Sequence, residues 1–277
     1  MKISIIVSTY NRPDALNAVL TGFLHQSGIE RDEWELIIAD DGSTDSTRLL
    51  IDQYKQLLGH KLKHVWHPDT GFRLAEIRNK AAVAAKGRYL VFLDGDCIPM
   101  RDFVYEHLRL AEAGKVVAGN RILLSRRYTG ELLSSSSPDE PCSWGLFQWL
   151  GARMSGKTNK SLGWLRLDLD RFRNRRASDW RILRGCNIGA WREDFLNVDG
   201  FDASFSGWGY EDSDLAVRML RYGSKFKDGR FAVPVLHLWH AEHDRSLQQE
   251  NWNRFESSLN GTHIRALTGI SSCSYHE

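Results

Sequence analysis

Within Leu90–Asp96 an apolar run, Leu-Val-Phe-Leu, delivers two carboxylates, Asp94 and Asp96, separated by a single glycine. Alternate residues of a strand share a face, and Gly95 lets the chain turn and a ligand come close. Both acids therefore stand at the carboxyl end of a buried strand, where open α/β sheets bind their ligands. Two hard oxygen donors there suit a divalent cation, which in such sites is shared with a substrate's phosphates. Asp-x-Asp is also frequent in surface turns, so the flanking residues must carry the weight.

A second acidic strand end, Asp40-Asp41-Gly42, would open onto the same crevice in a parallel sheet. A carboxylate there can accept the imino proton of uracil or a ribose hydroxyl; the competing role is a helix N-cap, which Ser43 and Thr44 could also supply. Further along, Gly207-Trp-Gly-Tyr-Glu211-Asp212-Ser-Asp214 opens a helix. The helix dipole favours acids in a first turn and would by itself explain them. After a flexible Gly-Trp-Gly loop they also suit general-base work on a sugar hydroxyl. His237-Leu-Trp-His240, with His243 beyond, offers two imidazoles after a strand. Lone histidines are usually structural, but a pair in a chain that already offers Asp-x-Asp reads as a metal site. Gly151-Ala-Arg-Met-Ser-Gly-Lys157-Thr158 matches the P-loop pattern letter for letter. A P-loop follows a buried strand and opens a helix, whereas Ser143–Leu150 is aromatic-rich and Asn159–Gly163 is a poor helix start. A nucleotide-hydrolysing or kinase site at Lys157 is the alternative this leaves, and a non-catalytic carbohydrate-binding domain is another.

The elements that must position these groups follow a regular order. The chain has 277 residues, 42% hydrophobic and 26% charged, enough for one large α/β domain or two small ones. A net charge of +2 does not mark a nucleic-acid binder. Strands are expected at Lys2–Thr9, Glu35–Ala39, Leu62–Trp66 and Tyr89–Leu93. Helices are expected from Pro13 to about Gln26, up to about Leu58, and over Leu74–Lys86. This alternation implies a Rossmann-like, mostly parallel sheet with helices on both faces. The stretch 122–184 breaks the rhythm with serines, prolines, tryptophans and a run of arginines from Arg166 to Arg184. That run is either a solvated face, or a basic surface resting on anionic lipid or gripping an anionic acceptor. A helix at Asp212–Tyr222 and a strand at Phe231–Leu238 follow, and the tail resists assignment. Four scattered cysteines, with no Cys-x-x-Cys pair, fit a reducing compartment. The apolar run Ile3–Val7 is too short for a signal-peptide core. The expectation is a cytoplasmic protein with peripheral contact to the inner face of the membrane.

In their order along the chain, these pieces resemble the family 2 glycosyltransferases of the GT-A fold. The matching residues are Ile5-Ile-Val-Ser-Thr-Tyr10-Asn11-Arg12, Asp40-Asp41-Gly-Ser-Thr-Asp45, Arg78-Asn79 and Phe92-Leu-Asp94-Gly-Asp96. Gly71-Phe-Arg-Leu-Ala-Glu-Ile-Arg78-Asn79, Gly207-Trp-Gly-Tyr-Glu211-Asp212 and the His-x-x-His are similar to the chondroitin-polymerase and β-1,4-galactosyltransferase branch. The resemblance implies inverting, metal-dependent transfer of a hexose or N-acetylhexosamine from a UDP-sugar to an oligosaccharide or lipid-linked saccharide, in bacterial surface polysaccharide or lipopolysaccharide synthesis. It implies that Asp41 reads the base, with Thr9 and Arg12 lining that pocket. Arg78 would approach the nucleotide or its phosphates, and Asp94 the ribose. Asp96 and His240, with His237, would hold Mn²⁺ or Mg²⁺, while Asp212 would be the general base and Glu211 would position the acceptor. One departure stands out: His237 occupies a place where animal galactosyltransferases have Met. On this reading 1–121 is a nucleotide-sugar-binding half and 122–184 an Arg/Trp-rich insertion. The stretch 185–245 is then an acceptor and catalytic half, and 246–277 a C-terminal tail.

Overall fold

The computed structural model describes residues 1–242 and 244–272. Apolar runs form the first strands, β1 (Ile3–Thr9), β2 (Trp34–Asp40), β3 (Leu62–Trp66) and β4 (Tyr89–Asp94), joined by α1 (Pro13–Leu24), α2 (Asp45–Leu58) and α3 (Leu74–Ala84). Pro13 sits in the first turn of α1, where its missing N–H leaves nothing unsatisfied. Then come β5 (Cys97–Pro99), α4 (Phe103–Leu110), β6 (Lys115–Ala118), β7 (Asn120–Leu123), α5 (Arg126–Leu133), α6 (Leu146–Met154) and α7 (Asp170–Arg173). The last third holds β8 (Asn187–Trp191), α8 (Arg192–Asn197), α9 (Glu211–Tyr222), β9 (Lys225–Asp228), β10 (Pro234–His237) and α10 (Gln248–Asn260).

A seven-stranded sheet runs β3-β2-β1-β4-β8-β6-β9. It is parallel except where β8 pairs antiparallel with β4 and with β6. Both faces are buried, as a parallel sheet requires. Along β1, Ile3, Ile5 and Val7 enter one core with Leu16, Leu20 and Phe103, while Ile6 enters the other with Phe92, Phe195 and Phe201. The β4 aspartates thus emerge from a strand that cannot shift, and Gly95 fixes the exit. A Cβ at Gly95 would lie 2.4 Å from the Ser8 carbonyl oxygen.

A small second sheet, β5-β10-β7, does the assembling. β10 lies antiparallel to β5 with His237 opposite Cys97, and Leu238 donates its N–H to the Asp96 carbonyl at 2.9 Å. This register brings a histidine-bearing strand beside the residue after the Asp94–Gly95 turn.

Two stretches are more regular than the sequence suggests. The segment 122–184 contains α5, capped by the Ser125 hydroxyl, and α6, pinned by the fully buried Trp149. The tail forms α10, whose Phe255 is fully buried among Trp180, Tyr210 and Trp252. The P-loop reading fails here for a physical reason. Gly151 lies inside α6 and Gly156, at φ +71°, follows its end, so helix carbonyls rather than N–H groups point at the would-be phosphate site. Lys157 lies 3.7 Å from Glu131 and over the Tyr128 ring. Two of the seven arginines from Arg166 to Arg184 turn inward, while the other five are exposed. Arg166 grips Asp102 through two nitrogens, at 2.6 and 2.7 Å, and the buried Arg173 donates to the carbonyls of Leu167, Asp228 and Arg230. No described helix is long and apolar enough to cross a membrane.

Candidate active site

A cavity of about 1120 Å³ opens at the carboxyl ends of β1 and β4, and all the residues singled out above for donor, metal and catalytic roles line it. They come from distant parts of the chain: Thr9, Arg12, Asp41, Arg78, Asp94, Asp96, Glu211, Asp212, His237 and His240.

The cavity wall carries three groups able to ligate a metal. Ligand atoms of Asp96, His237 and His240 all lie within 4.8 Å of one another. His240 Nε2 is 3.4 Å from one Asp96 oxygen, and His237 Nε2 is 3.8 Å from the other. Ligands each about 2.1 Å from a shared ion stand roughly 3–3.5 Å apart, so small side-chain adjustments suffice. His240 Nδ1 lies 2.7 Å from the Ala241 carbonyl oxygen. A proton on Nδ1 would satisfy that contact and leave the Nε2 lone pair toward Asp96, the usual arrangement of a metal-binding imidazole. One carboxylate and two imidazoles therefore fit a divalent transition ion. His243 lies outside the described residues.

Beside this cluster Arg78 organises the acids. Its side chain is 1% exposed and donates to Asp94 Oδ1 at 2.6 Å, to Ser8 Oγ at 3.1 Å and to the Gly185 carbonyl at 3.1 Å. A longer contact of 3.4 Å reaches Glu211. Instead of reaching into open space, the guanidinium is enclosed behind the carboxylates. Beside it, on the other side of Gly185, Asp212 stands in the first turn of α9. Gly185 donates its N–H to Oδ2 at 2.7 Å, and Ser213 donates its N–H to Oδ1 at 2.7 Å. The loop before α9 is held from outside: Asn251 of α10 donates to the carbonyls of Ser206 and Trp208, and Tyr210 stacks on Phe255 at 5.6 Å. Tyr210 adopts φ +71°, costly for a side chain of that size, and the aromatic cluster keeps it there.

At the other end, Asp41 accepts from His67 Nε2 at 2.5 Å and from the Arg73 N–H at 2.8 Å. It does not cap α2, since its two oxygens go to His67 and Arg73 and Thr44 holds the cap position. Its neighbour Asp40 is structural, accepting from the Ser43 N–H and lying 2.9 Å from His64 Nε2. Thr9 Oγ1 is buried and lacks a hydrogen-bond partner among the described residues, an orphan a ligand could satisfy. Arg12 lines the rim, paired with Asp14 at 3.0 Å. Sequence reasoning missed His67, Arg73 and Gly185. His67 is a lone histidine without a motif, and Gly185 acts through its backbone, so neither carried a compositional signal.

Burial, and then the Asp212 charge, push the Glu211 carboxyl up to about 7, against an ordinary value of 4.5. The sign of the stability effect follows by linkage. Below pH 4.5 the group is protonated whether the chain is folded or unfolded; above it the unfolded chain ionises first. Glu211 therefore costs folded stability progressively as pH rises from about 4.5 to about 7. Glu211→Gln is expected to flatten this slope and to melt higher than the wild type at pH 8 but not at pH 4. Melting curves across that range check it, and parallel slopes would refute it.

Residues 4–149 match the family model described as glycosyl transferase family 2, and residues 169–243 match that of the N-terminal domain of galactosyltransferase. Validoxylamine A glucosyltransferase of Streptomyces hygroscopicus subsp. jinggangensis is 30% identical over 80% of this chain and 52% of its own length. Chondroitin synthase of Escherichia coli is 29% identical over 81% of this chain and 33% of its own length. The chain thus spans about half, or less, of these curated relatives. Among solved structures, mannosyltransferase PcManGT of Pyrobaculum calidifontis, in complex with GDP-Man and Mn²⁺, superposes with a TM-score of 0.58 at 18% identity, covering 95% of this chain and 62% of that one. S. aureus TarS 1–349, in complex with UDP-GlcNAc, gives 0.60 at 16% identity, covering 94% of this chain and 67% of that one. The fold is accordingly GT-A, as the sequence resemblance implied. With the first family model covering more than half of its residues, this chain belongs to glycosyl transferase family 2.

Proposed function

We propose that this chain transfers a sugar from a UDP-sugar to a saccharide acceptor, with inversion at the anomeric carbon and the help of a divalent cation. The observation that carries the reading is the convergence, in one cavity, of a carboxylate–imidazole metal cluster with an oriented carboxylate at a helix N-terminus. Asp96, His237 and His240 would hold the cation, and two imidazoles suit Mn²⁺ better than Mg²⁺, which prefers oxygen ligands. When bound, such an ion supplies positive charge against the departing diphosphate. Asp41, with Thr9 and Arg12 beside it, would read the base, and Asp94 the ribose. Arg78 would act on the nucleotide indirectly, by holding Asp94 in place.

Asp212 would take the proton of the acceptor hydroxyl as that oxygen attacks from the face opposite the leaving group, so that a single displacement inverts the centre. Glu211, beside it, would position the acceptor. On this view the donor half of the domain is 1–121 and the acceptor half 185–245, in a protein of surface-glycan synthesis. The acceptor itself is read as anionic. Arg12, Arg73, Arg78, Arg181 and Arg245 of the cavity each have a carboxylate partner. Arg121 and Arg184 have none among the described residues, and Lys160 sits behind them.

A donor screen tests this reading: purified protein, Mn²⁺ or Mg²⁺ and a panel of nucleotide sugars, with thermal shift and nucleotide release as readouts. One UDP-sugar should stabilise the protein only when the metal is present, with UDP release lost in Asp96→Ala. Silence toward every nucleotide sugar, with ATP hydrolysis that disappears in Lys157→Ala, would instead revive the P-loop alternative.

A further inference from the structure

Helix α6 turns an apolar edge to solvent. Met154 and Phe147 are the most exposed large apolar side chains among the described residues, at 87% and 84%, and Leu150 lies between them at 39%. At 100° per residue, Phe147, Leu150 and Met154 fall on one stripe, opposite the buried Trp149 and Ala152. The helix cannot roll to hide that stripe. Trp149 packs edge-on against Trp144 at 5.6 Å, and Gly163 presses on its other side so closely that a Cβ would lie 2.4 Å from the indole ring.

The surroundings say what should cover the stripe. From Pro141 to Leu167 the chain has no acidic residue. Of its four cations, Lys160 and Arg166 are turned to partners within the protein, whereas Lys157 stays 40% exposed beside Glu131 and the Arg153 side chain has no partner among the described residues. Arg153 flanks the stripe on α6 itself and is exposed. Leu162 and Trp164, at 41% and 37% exposed, add apolar side chains to the same segment, the latter of the type that settles at membrane interfaces. An apolar stripe flanked by the exposed Arg153, with Lys157 just past the end of the helix and an exposed Trp164 in the following segment, suits an anionic lipid surface.

We propose that α6 is a membrane-docking helix that seats Phe147, Leu150 and Met154 in the interface of an anionic bilayer. This contact is separate from the one expected at the Arg166–Arg184 run, where Arg166 and Arg173 are engaged within the protein while Arg171, Arg175, Arg176, Arg181 and Arg184 stay exposed, and it falls on a helix the sequence left unassigned. The docking helix is tied to the cavity wall. Thr158 bridges to Leu124, and Asn159 exchanges hydrogen bonds with Leu123, which lines the cavity. If the transferase reading holds, docking would set the acceptor side of the cavity near the bilayer, where a lipid-linked saccharide stands.

Vesicle flotation tests the proposal without requiring turnover, so its failure and that of the transferase reading can be told apart. The protein should float with phosphatidylcholine vesicles containing phosphatidylglycerol, weakly with phosphatidylcholine alone, and less as ionic strength rises. Phe147→Ser/Met154→Ser should lower the bound fraction about tenfold, while Phe147→Trp/Met154→Leu retains it. Both positions are exposed, so unchanged melting curves would confirm that the variants fold. Absence of wild-type flotation, or flotation undiminished in the serine variant, would overturn the proposal. So would a wild-type dimer that the serine changes dissociate, since a second copy would then own the stripe.

Discussion

Asp212→Asn is expected to lower kcat by about 10²- to 10⁴-fold, the usual reach of a positioned general base, with little change in donor KM and a small drop in melting temperature from one lost hydrogen bond. The amide keeps one oxygen, which can accept from the Gly185 N–H now 2.7 Å from Oδ2, but its NH2 cannot accept from the Ser213 N–H that Oδ1 now takes at 2.7 Å. It therefore loses one hydrogen bond along with the capacity to take a proton. The side chain lies in the first turn of α9, where the dipole favours negative charge whether or not chemistry follows. A capping role and a base role therefore differ in their readout. If Asp212 only caps the helix, the variant melts slightly lower and turns over like the wild type, whereas loss of the base lowers turnover by far more than the small melting change accounts for. Sugar transfer to an acceptor, followed with the donor identified by the screen, decides between them. A variant that turns over like the wild type would end the assignment of Asp212.

Arg78→Met should destabilise the fold by about 3–5 kcal/mol, the usual cost of removing one partner from a buried ion pair. For a chain of this size that is on the order of 10 °C in melting temperature. The cost arises less from the lost attraction than from what stays behind: Asp94 and Glu211 would face each other without the cation that now separates them. Asp94 is 32% exposed and can recruit water, whereas Glu211 is 13% exposed and has less access to it. Adding Glu211→Gln to Arg78→Met should therefore recover part of the loss, a non-additivity that marks the two as one network. Strictly additive effects would show instead that Arg78 acts alone. Donor affinity should fall as well in Arg78→Met, because Asp94 loses the group that orients it.

The local elements were legible because they rest on short-range rules. A buried parallel strand reads as an unbroken apolar run ending in polar residues, and β1, β2, β3 and β4 fall within a residue of expectation. The helix α9 showed itself through its acidic first turn and through Gly223, which closes it at φ +109°. Harder to read were elements whose apolar residues serve distant partners. In α10, Asn251, Phe255 and Ser258 face inward at helical spacing, yet the helix is otherwise polar, and its purpose lies in Tyr210 and Asp214. In α6, the same apolar composition serves two faces, and nothing in the letters says that Trp149 is the one inside.

The amino-acid sequence by itself determined which groups could do the chemistry: carboxylates at strand ends, a paired imidazole motif and an acidic helix start, because type and local spacing decide those. Tertiary structure alone decided their company. Asp96 meets His237 and His240 only because β10 pairs with β5 in one register, and a slip by one residue would turn His237 to the opposite face. Arg78 faces inward to Asp94 and Glu211, and Asp41 meets His67, through contacts that span up to 133 positions in the chain. Pairing register and long-range packing are properties of the whole chain, and no local window contains them.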